Sequence, residues 1–453
     1  MVSLVAFTIG AVLCAVSHNF ALMLCGRVFQ GLGAGGFNVM TEVLLTDLLP
    51  LVERGRWFGA LGAAWAVGSA CGPVIGGAVT QLSSWRWIFW LNLPFVGIAL
   101  LILPVLLRLR TVSGSLSKLH DIDYTGALLF LSSLSAMLIP LTWGGVVYDW
   151  DSWHTIVPLV LGTLGLLGFV VYEKHHTSKQ FIPLVIFHNT SSSLNYFGAF
   201  VLGMLLWTLL YYLPLYYEVA KGYTMVMSGV ALFPETFTTA PAGIVATVLI
   251  SAWKKYRWAL WLGWTLATVG LGLLRLLEVD TSVVKFIFLN LTVGVGAGIL
   301  YPAIPLAIQA SCPLEIMPMS VTMISTARNL GRTAGVALEG SIVQNRIKYH
   351  LQQVPNLAPM ATEYSKEAST LLNVVKSMRD DANRTSLKVA YARSLTDVWM
   401  FLCGVAGLVL ISSLFVKSYS MDRELYTRQP LEDDRQHLTQ DSNISLDQRV
   451  HDR

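Results

Sequence analysis

The chain has 453 residues, of which 54% are hydrophobic and 13% charged, with a formal net charge of +4. Soluble domains carry about 25% charged residues, so this balance excludes a soluble globular core, a disordered chain and a secreted disulfide scaffold, and leaves an integral membrane protein. The basic residues sit beside apolar stretches rather than along one face, which excludes nucleic-acid binding. Cys14, Cys25, Cys71, Cys312 and Cys403 all fall inside apolar stretches with no CxxC pair, and read as small packing residues.

A membrane helix needs about 20 apolar residues, and a charge at its centre is costly. Long apolar windows with few charges therefore predict twelve spans, near residues 1–16, 20–46, 57–79, 87–107, 124–143, 154–172, 192–216, 225–251, 257–277, 286–309, 318–344 and 397–416. The first opens at Met1 without a basic leader or cleavage-like site, so it is expected to be a span entered midway rather than a signal peptide. Lys and Arg in short loops mark the cytoplasmic side. Arg54 and Arg56, then Arg108, Arg110 and Lys118, then Lys174 and Lys179, then Lys254, Lys255 and Arg257 occupy alternate connections, which are assigned to the cytoplasm. The aromatic, acidic stretch from Gly144 to Asp151 then faces outward. Residues 108–122 are expected to form a cytoplasmic linker, 345–396 an outer loop with a helix-forming stretch from Ser365 to Met378, and 417–453 a disordered cytoplasmic tail. Among the sequons, Asn383 lies outside and is expected to be glycosylated, whereas Asn189 and Asn443 lie inside.

The third span holds Gly68-Ser69-Ala70-Cys71-Gly72-Pro73-Val74-Ile75-Gly76-Gly77. Gly68, Gly72 and Gly76 recur every four residues and make a flat face for close backbone approach, while Pro73 removes a donor and bends the helix. From the residues alone this is either a packing face or part of a mechanism. Charges inside spans are candidates for function by default. Arg27 lies about two turns, roughly 10 Å, inside span 2, with Gln30 one turn on. Arg328 and Arg332 are one turn apart in span 11, with Glu339 on the same helix and Glu235 in span 8. The acids are candidate counter-ions or proton carriers, or residues of wet helix ends. Asp47 at the cytoplasmic end of span 2 would oppose Arg54 or Arg56 as a gate, or be a solvated loop charge. Trp65, Trp207, Tyr211, Tyr212 and Tyr301 could line a cavity for bulky apolar or cationic compounds, or pack against neighbours and lipid. No Walker A, HExxH or GxSxG sequence and no clustered metal-ligand set is present, so neither enzyme chemistry nor a cofactor or metal is expected.

The glycine motif resembles the antiporter motif of the major facilitator superfamily's drug:proton antiporters. Gly26-Arg27-Val28-Phe29-Gln30-Gly31-Leu32-Gly33 resembles the family's RxxQGxG element, and Asp47 with Glu53-Arg54-Gly55 the loop that follows it. Trp85-Arg86-Trp87-Ile88-Phe89-Trp90-Leu91-Asn92-Leu93-Pro94 is similar to the entry to the sixth helix of the fourteen-span branch. Leu213-Pro214-Leu215-Tyr216, Ser228-Gly229-Val230 and Arg328-Asn329-Leu330-Gly331-Arg332 with Gly335 resemble its later half. The resemblance covers nearly the whole chain and is greatest to fungal toxin and multidrug exporters. It implies that residue 1 falls in the third helix of fourteen, beyond the family's first gating loop.

On that resemblance the all-α chain divides into the remainder of an N-terminal bundle (1–107), a linker (108–122), an extra helix pair (123–174), a C-terminal bundle (175–416) and the tail (417–453). It implies a monomeric exporter of small organic compounds in the plasma or vacuolar membrane, exchanging substrate for protons by alternating access. Arg27, Gln30, Glu235, Arg328, Arg332 and Glu339 would serve proton coupling, with Gly68, Gly72, Pro73, Gly76, Gly77, Asp47 and Arg54 in packing and gating. Trp65, Trp207, Tyr211 and Tyr301 would line the substrate cavity. A proton-coupled carrier of siderophores or basic amino acids, and a shortened protein that no longer transports, are the alternative readings.

Overall fold

A computed structural model describes residues 1–49, 51–106, 123–175, 180–182, 184–187, 189–313, 316–366, 371–378 and 382–421. The expected linker, the tail from residue 422 with Asn443, and the side chains of Asp47 and Arg54 lie outside the described residues. Among those described there are fifteen α-helices and no strand, only an isolated bridge between Gly144 and Tyr148. In chain order the first six are α1 (Val2–Ala15), α2 (Phe20–Leu48), α3 (Leu51–Leu82), α4 (Trp87–Leu106), α5 (Tyr124–Trp143) and α6 (Trp153–His175). There follow α7 (Thr190–Val219), α8 (Met225–Ala231), α9 (Phe233–Trp253), α10 (Arg257–Leu273) and α11 (Val283–Ser311). The last four are α12 (Met317–Gln352), α13 (Ala361–Lys366), α14 (Leu371–Ser377) and α15 (Ala382–Ser413).

Ten of the described helical segments are long and apolar enough to cross a membrane, against twelve expected. The two that fall short are α1, of 14 residues, and α12, of 36, which carries Arg328, Arg332 and Glu339 along its length. The span expected over 225–251 is divided into α8 and α9 at Leu232, where Pro234 supplies no donor and is suited to the first turn of a new helix. The loop expected over 345–396 is mostly helical. It contains the end of α12, α13, α14 and the start of α15, because Leu371, Val375, Leu387, Tyr391 and Leu395 bury an apolar stripe there.

The chain divides into two compact units. The first holds Met1–Arg54 and the described part of Val79–Asp121. Here α1 lies along α2 and against α4, with Cys14, Ala15, Phe89 and Met23 in its core. Arg86 stacks over Trp85 at 4.5 Å and donates to the Ser17 carbonyl at 2.7 Å, closing the exposed end of α1.

The second unit holds Gly55–Ala78 and Ile122–Met421. Its interior is α7, α11 and α12, with α9 and α10 packed on α11 and α15 on α10 and α12. The crossing of α7 and α12 is set by two glycines. A Cβ on Gly203 would fall on the Arg328 carbonyl, and one on Gly331 on the Phe200 carbonyl, so neither helix admits a side chain at the crossing. Where α5 ends, Asn345 and Lys348 of α12 donate to the Gly144 and Gly145 carbonyls at 3.0 and 3.2 Å. Behind α15 the chain folds back as a strap: Lys417 N donates to Ser191 Oγ at 3.0 Å and Tyr256 Oη to the Lys417 carbonyl at 2.9 Å. Asn189, the N-cap of α7, donates to Tyr419 Oη at 3.0 Å and to the Ser311 carbonyl at 3.2 Å.

Candidate functional site

Five helices of the second unit converge on a cavity of about 50 Å³. The register of each explains which residues reach it. Gly62, Trp65, Ala66 and Ser69 share one face of α3 at helical spacing, as Leu206, Trp207 and Leu210 do on α7 and Glu235, Thr236 and Thr239 on α9. Tyr301 enters from α11 and Arg332 from α12.

Arg332 dominates the space. Its guanidinium lies 4.6 Å from the Trp65 ring centre and 5.0 Å from that of Trp207, and Nη1 donates to Asn329 Oδ1 at 3.1 Å. Cation–π contacts of this kind contribute about 0.5–2 kcal/mol each, most where water is excluded. One turn back, Arg328 is buried and lies 4.6 Å over the Tyr301 ring. Glu235 is buried in the wall, 4% exposed. The cavity thus has one cation, one carboxyl and three aromatic rings around a volume far below the roughly 300–1,000 Å³ of organic-ligand pockets. Its centre is occupied by the protein's own Arg332 side chain.

Of the residues singled out in the sequence, the structure brings together Trp65, Trp207, Tyr301, Glu235, Arg328 and Arg332. Glu339 is fully buried but bonds to Thr208 of α7, apart from the cavity wall, with the Thr208 hydroxyl also 2.7 Å from the Met204 carbonyl. Tyr211 does not line the cavity. It lies a turn beyond Trp207, is 50% exposed and meets the buried Tyr212 edge to face at 5.0 Å. Arg27 and Gln30 belong to the first unit, where Arg27 Nη1 donates to Gln30 Oε1 at 3.0 Å and the guanidinium sits 6.0 Å from the Phe89 ring. Asn383 Oδ1 accepts from Asn356 Nδ2 at 3.3 Å in an exposed position.

The glycine motif is asymmetric. A Cβ on Gly68, Gly72 or Gly76 would meet no described atom within 4 Å, whereas one on Gly77 would lie 3.0 Å from the backbone of Met225. A Cβ on Gly229 would in turn lie 2.8 Å from Val74 N. Pro73, Val74 and Gly77 therefore form a contact with α8, at the Ser228-Gly229-Val230 sequence. Gly77→Leu is expected to lower the melting temperature of the purified protein while Gly72→Leu leaves it unchanged. Equal shifts in the two variants would show that the contact is not confined to this end of the motif.

Sequence reasoning missed Ser69 and Thr236, small polar residues of the cavity lining, and Thr208, whose partner Glu339 comes from another helix. It also missed three buried acids, among them Asp123, the N-cap of α5. Glu42 lies inside the predicted second span, so its charge alone could have flagged it. Glu173 ends α6 fully buried and accepts from the Phe181 and Ile182 amides at 2.9 and 3.1 Å, a local turn closure.

A family model described as Major Facilitator Superfamily matches residues 1–336. An MFS transporter of Phoma sp. is 44% identical over 427 residues, covering 94% of this chain and 71% of that protein. An acurin A biosynthesis cluster MFS-type transporter of Aspergillus aculeatus is 34% identical, covering 94% and 78%. An efflux pump of Gibberella fujikuroi is 31% identical, covering 96% and 80%. Among solved structures, a bacterial homologue of the human lysosomal transporter Spinster, inward-facing and occupied, superposes with a TM-score of 0.53 at 14% identity, covering 92% of this chain and 81% of that one.

Proposed function

We propose that this chain, which belongs to the Major Facilitator Superfamily, exports small organic compounds of secondary metabolism in exchange for protons by alternating access. Membership makes it a membrane transporter and not an enzyme, with small-molecule cargo. The observation that carries the finer reading is the cavity that Arg332, Glu235 and the rings of Trp65, Trp207 and Tyr301 line together. An apolar pocket with few convergent polar groups is where an organic substrate and a carried proton would meet. The names of the relatives, an efflux pump and a biosynthesis-cluster transporter, support outward transport of such compounds.

In this reading Arg27 and Gln30 form a second polar pair in the coupling path, and the glycine motif with Asp47 and Arg54 serves packing and gating. The protein works as a monomer in the plasma membrane, with Asn383 on the outside.

The test is transport by the reconstituted chain in proteoliposomes, following a fluorescent lipophilic compound and internal pH together. Flux is expected to follow the sign of an imposed pH gradient and to collapse with a protonophore. Flux indifferent to the gradient would remove proton exchange from the reading. Arg27→Ala is expected to reduce gradient-driven flux to the level of empty vesicles with normal protein yield. Normal flux from a well-expressed variant would take Arg27 out of the coupling path.

A further inference from the structure

Away from the central cavity, the end of α12 and the start of α15 enclose a groove of about 310 Å³. That volume lies within the roughly 300–1,000 Å³ of organic-ligand pockets. The helical register builds it. His350, Gln353 and Val354 share one face of α12, and Ser386, Val389 and Arg393 share one face of α15. Every polar side chain of the described lining can donate a hydrogen bond, and no acid is among them.

The charges around the groove are unevenly spent. Arg393 and Asp397 are one turn apart on α15, the spacing of an ordinary intrahelical ion pair. The Asp397 carboxylate is drawn across to α12 instead, where Oδ2 accepts from Arg346 Nε at 2.5 Å and lies 3.4 Å from His350 Nε2. Among the described residues Arg393 is left with no hydrogen-bond or ion-pair partner. Lys348, Arg384 and Lys388 add positive charge to the same helix ends, and Asp397 is the one acid of residues 346–352 and 382–397. Such a field draws anions towards the groove.

We propose that the groove between α12 and α15 binds a dissolved organic carboxylate, with its charge on Arg393 and its apolar body against Val354 and Val389.

The guanidinium suits a carboxylate because its fork makes two parallel N–H···O bonds to the two oxygens. Gln353 and Ser386 supply further donors beside it. A lipid phosphate carries the same charge, but the position of the groove disfavours it. The expected spans end at residue 344 and resume at residue 397, so His350 stands six residues and Ser386 eleven residues beyond them, about 9 and 16 Å at the helical rise. The headgroup layer adds only about 5–7 Å on each side of the hydrocarbon. The site is separate from the central cavity and goes beyond the transport reading.

The experiment uses the full chain in phosphatidylcholine nanodiscs at about 150 mM salt. Calorimetric titration, with empty nanodiscs subtracted, compares 1-naphthoate with its neutral counterpart 1-naphthamide. Naphthoate is expected to bind saturably at one site per chain, and naphthamide at least about tenfold more weakly, because it lacks the charge-assisted bonds. Arg393→Gln is expected to reduce naphthoate to the level of the amide. Ser386→Trp, which fills the groove, is expected to abolish binding of both. Arg393 is exposed and Ser386 half-buried, so both variants are expected to melt as the wild type does. Lys388→Gln removes the same charge from outside the lining and is expected to stay within about twofold of wild type.

Absence of saturable naphthoate binding, or undiminished binding in either Arg393→Gln or Ser386→Trp, overturns the site. Equal binding of acid and amide overturns the ligand class. A loss in Lys388→Gln as large as that in Arg393→Gln overturns the direct contact and leaves only the general field. Loss of naphthoate binding when phosphatidylglycerol is added to the nanodiscs overturns the dissolved ligand in favour of a lipid phosphate. None of these readouts uses transport, so the groove can fail while the exchange reading stands, and the reverse.

Discussion

Gly331→Leu is expected to yield little folded protein, with a stability loss of about 3 kcal/mol or more, at the upper end for overpacked contacts. The new side chain would have to enter the space of the Phe200 carbonyl, backbone that cannot turn aside. Gly203→Leu is expected to do the same from the other helix, against the Arg328 carbonyl. Both substitutions push the same two helices apart, so the double variant is expected to lose less than the sum of the two. Thermal unfolding in detergent, read beside the monodisperse fraction after purification, checks this. Unaltered melting of Gly331→Leu would show that α7 and α12 can separate at the crossing without cost.

An equally complete effect on transport is expected from Glu235→Gln. The amide keeps the volume and polar edge of the acid, so the protein is expected to melt within a few degrees of wild type. With no exchangeable proton at the cavity wall, gradient-driven efflux is expected to fall to the level of empty vesicles, whichever side is acidified. The same substitution at Glu339 provides the contrast, because that carboxyl bonds to Thr208 at the α7–α12 contact rather than lining the cavity. Glu339→Gln is expected to retain measurable gradient-driven flux. If Glu235→Gln transports normally and Glu339→Gln does not, the proton is carried at the helix contact and not in the cavity.

Much of the fold was legible because apolar length is a local property. Windows drawn from long apolar runs coincide with observed helices from α1 to α15, one of them divided between α8 and α9. What they could not show was where polar sequence would also be helical, as in α13, α14 and the start of α15, whose buried stripe depends on the surface it meets. The candidate site was legible as a list but not as an arrangement. Trp65, Trp207 and Arg332 stood out singly as large or charged residues in apolar runs. Their stacking depends on α3, α7 and α12 meeting at one level, and no local spacing encodes that. The same limit explains Tyr211, which looks equivalent to Trp207 by composition but lies one turn too far along α7. Gly331 was visible in its motif between two arginines, and its physical reason emerged only with the Phe200 carbonyl opposite.

The strap behind α15 has a bearing on how the chain is made. Asn189 caps the start of α7, yet it is held by Tyr419, 230 residues later. Lys417, in the same strap, bonds Ser191 in the first turn of α7. During synthesis, α7 through α15 must all have left the ribosome before this joint can close. The segment around Lys417 and Tyr419 is thus the bolt of the second unit, and its assembly remains unfinished until translation has passed residue 419. A stop codon just before Lys417 would remove no membrane-crossing residue and still leave every nascent copy unsealed, open to quality-control proteases.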